Sequence, residues 1–175
     1  MKVLFVCTGN ICRSPTAERL AVAFAREQGI TDLSVSSAGT RADIGHPIHP
    51  AAARVIEDLG GHTERFAARQ LTSRLAGDQD LVITMTKEHR EAALERAPQK
   101  LHRTFTLNEA ALLISEHGAR RVVDLAALRH QLSPSSVPDI LDPIGASREV
   151  FNAVGDQIAG LVVSVIRMLG NEPVG

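Results

Sequence analysis

A cysteine, an arginine and a serine lie close together near the beginning of the chain, in the segment CTGNICRSP that starts at Cys7. A cysteine thiol beside a helix N-terminus has a lowered pKa and can react as a thiolate near neutral pH. An arginine guanidinium is a permanently charged planar group that can bind two phosphate oxygens at once. The spacing of Cys7 and Arg13 therefore predicts a nucleophile inside a phosphate-binding loop.

A short strand and a helix are expected to position this loop. Lys2 to Val6 form an apolar run typical of a buried strand, and Ser14 and Pro15 are suited to the first turn of a helix. Gly9 and Asn10 tolerate left-handed backbone angles, which allow a loop to turn its N–H groups toward an anion. The helix dipole adds positive potential at the same place. The predicted phosphate-binding residues are Thr8, Gly9, Asn10, Ile11, Cys12, Arg13 and Ser14.

A thiolate that attacks a phosphorus atom in line forms a phosphocysteine, and the leaving group then needs a proton. Asp142 is the candidate general acid, in the segment VPDILDPIG, whose two prolines and glycine indicate a loop. Asp139, three residues earlier, remains a competitor. The Ser14 hydroxyl can donate a hydrogen bond to the thiolate, and it can also cap the first helix.

Strands alternate with helices along the rest of the chain. Further strands are predicted at Leu33 to Ala38, Asp80 to Met85 and Thr104 to Leu107. Such alternation predicts a single-domain α/β fold over residues 1–175, with a four-stranded parallel sheet flanked by helices on both faces. Ligands of such sheets bind at the carboxyl ends of the strands, where the loop after strand 1 lies. Helices are predicted from Pro15 to Glu27, up to Leu59, after a Thr86 cap, after an Asn108 cap, from Asp124 to Gln131 and after a Ser147 cap.

The composition excludes several classes of protein. Hydrophobic residues make up 44% of the 175 residues and the formal net charge is −1, so neither disorder nor a nucleic-acid-binding surface is indicated. We expect no membrane-spanning segment, since the most apolar run, Ile158 to Ile166, is too short. The N-terminal strand does not have the pattern of a signal peptide, and a cytoplasmic location is expected.

Both cysteines, Cys7 and Cys12, lie inside the loop, so they do not form the disulfide framework of a secreted protein. Cys12 is either a small buried apolar residue or a second thiol able to form a disulfide with Cys7. No metal site is predicted. His46 and His49 lie in a proline-rich loop and are better interpreted as surface histidines than as ligands.

The segment CTGNICRSPTAE resembles the signature of the low-molecular-weight protein tyrosine phosphatases. VSSAGT at 35–40, ARQL at 68–71 and Asp-Pro at 142–143 follow in that family's order. The resemblance implies hydrolysis of phosphotyrosine in a phosphorylated protein, with inorganic phosphate as product and no cofactor. It also implies that Asp142 rather than Asp139 is the acid, and that Asn10 and Ser37 fix the shape of the loop. Arg69 is expected to be a structural ion-pair residue.

The chain departs from the family pattern at two positions. Phe66 stands where members with ARQ commonly carry a histidine, which removes one expected support of the loop. Ile144 stands where an aromatic residue commonly follows Asp-Pro, and the chain has no tyrosine or tryptophan. Stacking on a phosphotyrosine ring would then depend on aliphatic walls or phenylalanine.

Two alternative activities fit the same loop. DLVITMTKEH, RTFTLNEA and DILDPIGAS resemble the bacterial branch that includes protein-arginine phosphatases. Those proteins typically have a threonine where this loop has Ile11, and an apolar wall offers no partner to a guanidinium, so Ile11 favours phosphotyrosine. A thiol-coupled arsenate reductase would need resolving thiols outside the loop, which this chain does not have.

Overall fold

A four-stranded parallel sheet forms the centre of the protein, in a computed structural model that describes residues 1–133 and 135–171. The sheet has the order β2-β1-β3-β4, and the fold prediction is confirmed. That one domain spans 1–175 stays a prediction. The strands are β1 (Lys2–Cys7), β2 (Ser34–Gly39), β3 (Leu81–Thr84) and β4 (Thr104–Thr106).

Seven α-helices in the described residues cover the sheet or follow its strands. They are α1 (Arg13–Glu27), α2 (Pro50–Asp58), α3 (Ser73–Gly77), α4 (Lys87–Arg96), α5 (Leu107–Ser115), α6 (Val122–Leu128) and α7 (Arg148–Gly170). Short 3₁₀ helices follow α4 at Pro98–Arg103 and α6 at Arg129–Gln131. Helix α3 was not expected from the sequence; the Thr72 hydroxyl caps it by accepting a hydrogen bond from Leu75 N at 3.1 Å.

Both faces of the sheet are buried, and the side chains of β1 show how. Val3 and Phe5 belong to a core that includes residues of α1, α5, α6 and α7. Leu4 and Val6 belong to a second core with residues of α3 and α4 on the opposite face. Successive side chains of a strand alternate between faces, so a continuous apolar run is what a strand buried on both sides requires.

The N-cap of α5 differs from the prediction. Asn108 was expected to cap this helix, but β4 runs directly into it and Thr106 is the cap. The Thr106 hydroxyl accepts from Glu109 N, and the Glu109 carboxylate accepts from Thr106 N, both at 3.1 Å. This is a reciprocal capping box, which satisfies two otherwise unpaired donors. Ser147 occupies the N-cap position of α7, but its side chain makes no capping hydrogen bond.

Helix α7 corrects the expectation that no segment could span a bilayer. Over Arg148–Gly170 it is long and apolar enough to do so by length and composition, the one such helix in the described part of the chain. Its buried residues include Ile158, Val162 and Val165, which pack in the core beside α1 and α5. A continuous row of apolar residues along one side is also what a helix packed in the centre of a folded domain requires.

The strand register places the loop after β1 next to two other loops. Cys7 at the end of β1 pairs with Gly39 of β2, and Val6 pairs with Thr84 of β3. The segment after β2 and the beginning of α4 therefore lie beside residues 8–12. This is the edge of the sheet at which ligands of parallel α/β folds bind.

Candidate active site

The backbone of the loop leaves its N–H groups unpaired. The carbonyl oxygens of Cys7, Thr8 and Gly9 accept hydrogen bonds of 2.9 to 3.0 Å from backbone N–H groups in the segment 40–43. Among the described residues, none of the N–H groups of residues 8–12 donates to another protein atom. Because the C=O of one residue and the N–H of the next point in opposite directions in a trans peptide, the N–H groups of residues 8–10 face away from that segment. They form an anion-binding cradle at the N-terminus of α1.

Asn10 fixes the shape of the loop. It has a φ of 56°, in the left-handed region, whereas Gly9 has no positive φ, so only one of the two residues expected to adopt this conformation does so. The fully buried Asn10 side chain donates from Nδ2 to Ser14 Oγ at 2.9 Å and to Ser37 Oγ at 2.8 Å. Its Oδ1 accepts from Arg69 N at 2.9 Å, and this backbone donor fixes which way the amide faces.

Cys7 lies at the base of the cradle, buried, with Sγ 3.0 Å from Ser14 Oγ. Ser14 Oγ already accepts a hydrogen bond from Asn10, so its single hydrogen can be donated elsewhere. Cys7 Sγ is nearer than the alternative acceptor, Ala38 O at 3.4 Å. The Ser14 hydroxyl is thus placed to donate a hydrogen bond to the Cys7 sulfur.

Arg13 and Asp142 meet at the edge of the cradle. The Arg13 guanidinium, only 5% exposed, donates from Nη2 to Asp142 Oδ2 at 2.5 Å and from Nη1 to Ile140 O at 3.0 Å. The Asp142 carboxylate is 46% exposed, so it faces both the cradle and solvent. The structure therefore brings together a thiol, a guanidinium and a carboxylate that the sequence separates by up to 135 residues (from position 7 to 142).

Asp139, the competing candidate, lies elsewhere. Its Oδ1 accepts from the backbone N of Lys87 at 2.9 Å and is 3.9 Å from Lys87 Nζ, at the beginning of α4. A hydrogen bond of 3.0 Å from Ile140 N to Met85 O fixes the segment between the two aspartates. Of the two carboxylates, only Asp142 lines the cleft above the cradle.

Cys12 is a structural thiol. It is 6% exposed and belongs to a small core with Ile56 and Phe151. Burial, then the charges of Cys7 and Asp142, raise the pKa of the Cys12 thiol to about 12. Cys12 is therefore protonated at neutral pH, and both cysteines are free thiols.

The cleft above the cradle has a volume of about 380 Å³. Its walls include two aliphatic side chains, Ile11 and Ile144, and the carboxylate of Asp43. Ile144 is 48% exposed, in the position where an aromatic residue was expected from the family pattern. The cleft is lined by Cys7, Thr8, Gly9, Ile11, Cys12, Arg13, Arg41, Asp43, Asp142 and Ile144.

Residues Glu18 and Arg69 complete the support of the loop without a histidine at position 66. The Glu18 carboxylate accepts from Ser37 Oγ at 2.5 Å, which leaves the Ser37 oxygen free to accept from Asn10. Arg69 Nε donates to Ser37 O at 2.8 Å. Arg69 is thus structural, but by hydrogen bonds; in the part of the chain that is described it has no ion pair, contrary to the prediction. Phe66 instead packs beneath the Arg19 guanidinium, 5.5 Å from the ring centre.

His89 contacts the loop from helix α4, and the sequence reasoning missed it. The imidazole is 4% exposed, and its Nε2 lies 2.8 Å from Thr8 Oγ1. Burial, then the positive charge of Arg13, lower the pKa of His89 from 6.5 to about 4. In the sequence His89 is marked only by its place at the third position of α4. That position alone does not indicate a functional residue, because histidines are common on the buried faces of helices.

The lowered pKa of His89 predicts loss of stability in acid. The unfolded chain binds a proton below pH 6.5 while the folded protein resists it until about pH 4, so the free energy of unfolding should fall as pH falls between these values. The loss from this group should be on the order of 2–3 kcal/mol. Urea denaturation of wild type and His89→Gln at pH 7 and pH 5 measures it. The variant should show a flatter pH dependence, whereas His102→Gln, at an exposed histidine, should match wild type; equal slopes in all three would contradict the assignment.

Metal binding has no structural support in the described residues 1–133 and 135–171, which contain no group of three potential ligands.

His49, expected to be a surface histidine, has a structural role instead. Its Nδ1 accepts from Ala51 N at 3.2 Å, which caps α2, and its ring stacks on Phe151 at 5.1 Å between centroids. Sequence patterns do not predict this cap, because the capping residue is a histidine and not one of the usual serine, threonine, asparagine or aspartate residues.

Known proteins resemble this chain in both sequence and fold. The profile of a family described as low molecular weight phosphotyrosine protein phosphatase matches residues 2–112. The low molecular weight protein-tyrosine-phosphatase Wzb of Salmonella typhi is 35% identical over 153 residues, which cover 87% of this chain and 83% of that protein. The protein-arginine-phosphatase of Bacillus subtilis (strain 168) is 28% identical over 172 residues, 98% and 99% of the two chains. Some other curated relatives match over slightly less than two thirds of their own length.

The fold agrees with these sequence matches. A mutant of YwlE arginine phosphatase with a phosphorylated active-site serine superposes with a TM-score of 0.79 and 26% identity, over 98% of this chain and 97% of that one. The chain belongs to the low molecular weight phosphotyrosine protein phosphatase family, and the resemblance found in its first twenty residues is confirmed. It is a cysteine-dependent protein phosphatase of this class.

Proposed function

We propose that this protein hydrolyses phosphotyrosine in proteins through a phosphocysteine on Cys7. The observation that carries the proposal is the position of the Cys7 sulfur at the base of a cradle of unpaired N–H groups, beside the Arg13 guanidinium. Such a site binds the three non-bridging oxygens of a phosphoryl group and stabilises the charge that they carry in the transition state.

In the first step the Cys7 thiolate attacks phosphorus, and the bond from phosphorus to the tyrosine oxygen breaks. The electron pair of that bond goes to the oxygen, which takes a proton from Asp142. In the second step the Asp142 carboxylate removes a proton from water, and the water oxygen attacks the phosphocysteine. The phosphorus–sulfur bond breaks, the thiolate re-forms and inorganic phosphate leaves.

Two further contacts support these roles. The 2.5 Å contact between Arg13 and Asp142 holds the carboxyl group of Asp142 in the same cleft as Cys7. The hydrogen bond available from Ser14 to Cys7 Sγ stabilises the sulfur both as the attacking thiolate and as the group that leaves in the second step.

The walls of the cleft support an aryl phosphate as substrate. Ile11 and Ile144 offer branched aliphatic surface, which can pack against a tyrosine ring. The Salmonella typhi relative is named as a protein-tyrosine-phosphatase, which agrees with an aryl phosphate substrate. Phosphoarginine is a second candidate, because Asp43 places a carboxylate in the cleft that could pair with a guanidinium. The named activity of the Bacillus subtilis relative is consistent with it.

A comparison of two peptide substrates separates these candidates. With phosphotyrosine and phosphoarginine peptides of one sequence, in metal-free buffer, wild type should give the higher kcat/KM for phosphotyrosine. Ile11→Thr should shift the ratio toward phosphoarginine by about tenfold, because the new hydroxyl can pair with a guanidinium N–H that Ile11 leaves unpaired. Ile11→Val is the matched control, with an apolar wall retained. A wild-type preference for phosphoarginine would contradict the assignment of the substrate.

We infer that the partner is a phosphorylated protein and that inorganic phosphate is the released product. Neither nucleic-acid binding nor stable membrane insertion is part of this proposal. The protein is expected to act in the cytoplasm in signalling, because its two free thiols include the nucleophile, and reducing conditions keep such a thiol active.

A further inference from the structure

The contact between His89 and Thr8 places an imidazole nitrogen and a hydroxyl oxygen next to the nucleophile. His89 lies in the first turn of α4, where its backbone N donates to Thr86 Oγ1 at 3.2 Å. The imidazole Nε2 is 2.8 Å from Thr8 Oγ1, on the residue that follows Cys7. The other ring nitrogen, Nδ1, is buried and has no hydrogen-bond partner within residues 1–133 and 135–171.

Counting donors indicates which atom of this pair carries the shared hydrogen. With a pKa of about 4 the imidazole is neutral at pH 7 and has a single N–H. A hydrogen on Nδ1 would leave a buried donor without an acceptor, which proteins avoid more strictly than an under-used acceptor. The hydrogen therefore belongs on Nε2, which donates to Thr8 Oγ1.

This assignment leaves the Thr8 hydroxyl with a hydrogen to donate. Thr8 Oγ1 has no hydrogen-bond partner other than His89 among the described residues. Thr8 also lines the cleft, and its carbonyl is held by Arg41 N at 3.0 Å, so the residue is fixed on both sides. This hydrogen is therefore available for donation to a group bound in the cleft.

We propose that His89 is a positioning residue that turns the Thr8 hydroxyl into an additional donor to the phosphoryl group in the cradle. This inference rests on the proposed function, since it supposes a phosphoryl group above Cys7. It adds a side-chain donor to the backbone N–H groups of the loop. It also gives a reason for burying a histidine beside Arg13, where the charged form is disfavoured.

Four variants test the pair. Thr8→Val removes the hydroxyl and keeps the shape, His89→Leu removes the donor, His89→Gln keeps an N–H donor near the same place, and the double variant combines Thr8→Val with His89→Leu. His102→Leu, at an exposed histidine, is the control. We expect each of the first two to lower kcat/KM on a phosphotyrosine peptide about tenfold, and His89→Gln to restore most of the loss.

The double variant distinguishes positioning from a structural role. It should be no worse than Thr8→Val alone, because His89 acts through the hydroxyl that is already gone. Losses that multiply, or a His89→Gln variant as poor as His89→Leu at an unchanged melting temperature, would overturn the proposal. Affinity for inorganic phosphate, measured by calorimetry on the same proteins, should fall in the same pattern. Because this measurement needs no turnover, it tests the pair even if wild type fails to hydrolyse phosphotyrosine, which would contradict the proposed function alone.

Discussion

Cys7→Ser is expected to abolish turnover of phosphotyrosine peptides while phosphate binding remains measurable. A serine hydroxyl is a far weaker nucleophile than a thiolate, but the N–H groups of the cradle and the Arg13 guanidinium do not depend on the sulfur. Steady-state turnover and calorimetric titration with phosphate measure the two effects separately. Near-normal turnover in this variant would contradict the phosphocysteine mechanism, as would strong inhibition of wild type by a chelator.

Cys12→Ser is the matched comparison for this experiment. Cys12 lies in the same loop, but its thiol has a pKa of about 12 and packs against the core under α2 and α7. Its replacement should therefore lower turnover far less than the Cys7 replacement does. Labelling with a substrate that carries ³²P should trap a phosphocysteine in wild type and in Cys12→Ser. No phosphocysteine should form in Cys7→Ser.

Asp142→Asn is expected to slow the first chemical step by about 10²–10⁴-fold for substrates with a poor leaving group. The amide cannot donate the required proton, whereas activated aryl phosphates need less protonation and should lose less. The change also removes the carboxylate that pairs with Arg13 at 2.5 Å, so affinity for inorganic phosphate should rise. A series of aryl phosphates with graded leaving groups measures the first effect, and inhibition by phosphate measures the second.

Asp139→Asn is the control for the acid. This carboxylate contacts Lys87 at the beginning of α4 and does not line the cleft. Its loss should weaken that contact and lower stability slightly, with little change in the dependence on the leaving group. A larger loss of turnover in Asp139→Asn than in Asp142→Asn would show that the acid has been assigned to the wrong residue.

Several parts of the fold could be predicted because their causes are local. The apolar run of β1, the proline and serine at the start of α1, and the alternation of strands with helices are read directly from short segments. The caps show the limit of this reasoning. Thr106 rather than Asn108 caps α5, because the strand before it continues up to the helix without a turn. His49 caps α2 through an imidazole, which no common capping pattern includes.

The sequence by itself predicted the nucleophile, the arginine and the loop that holds them, because these residues are contiguous and lie between a strand and a helix. The spacing of residues in the sequence did not show whether Asp139 or Asp142 is the general acid; only the family resemblance favoured Asp142. The tertiary structure brought Asp142 to Arg13 across 129 residues and His89 to Thr8 across 81. The His89 contact depends on β1 lying beside β3, so that the loop after one strand and the helix after the other share an edge of the sheet. The Asp142 contact depends on the segment of Ile140, whose backbone N donates to Met85 O just after β3. Pairing between distant strands is a property of the whole packed domain, and no local pattern contains it.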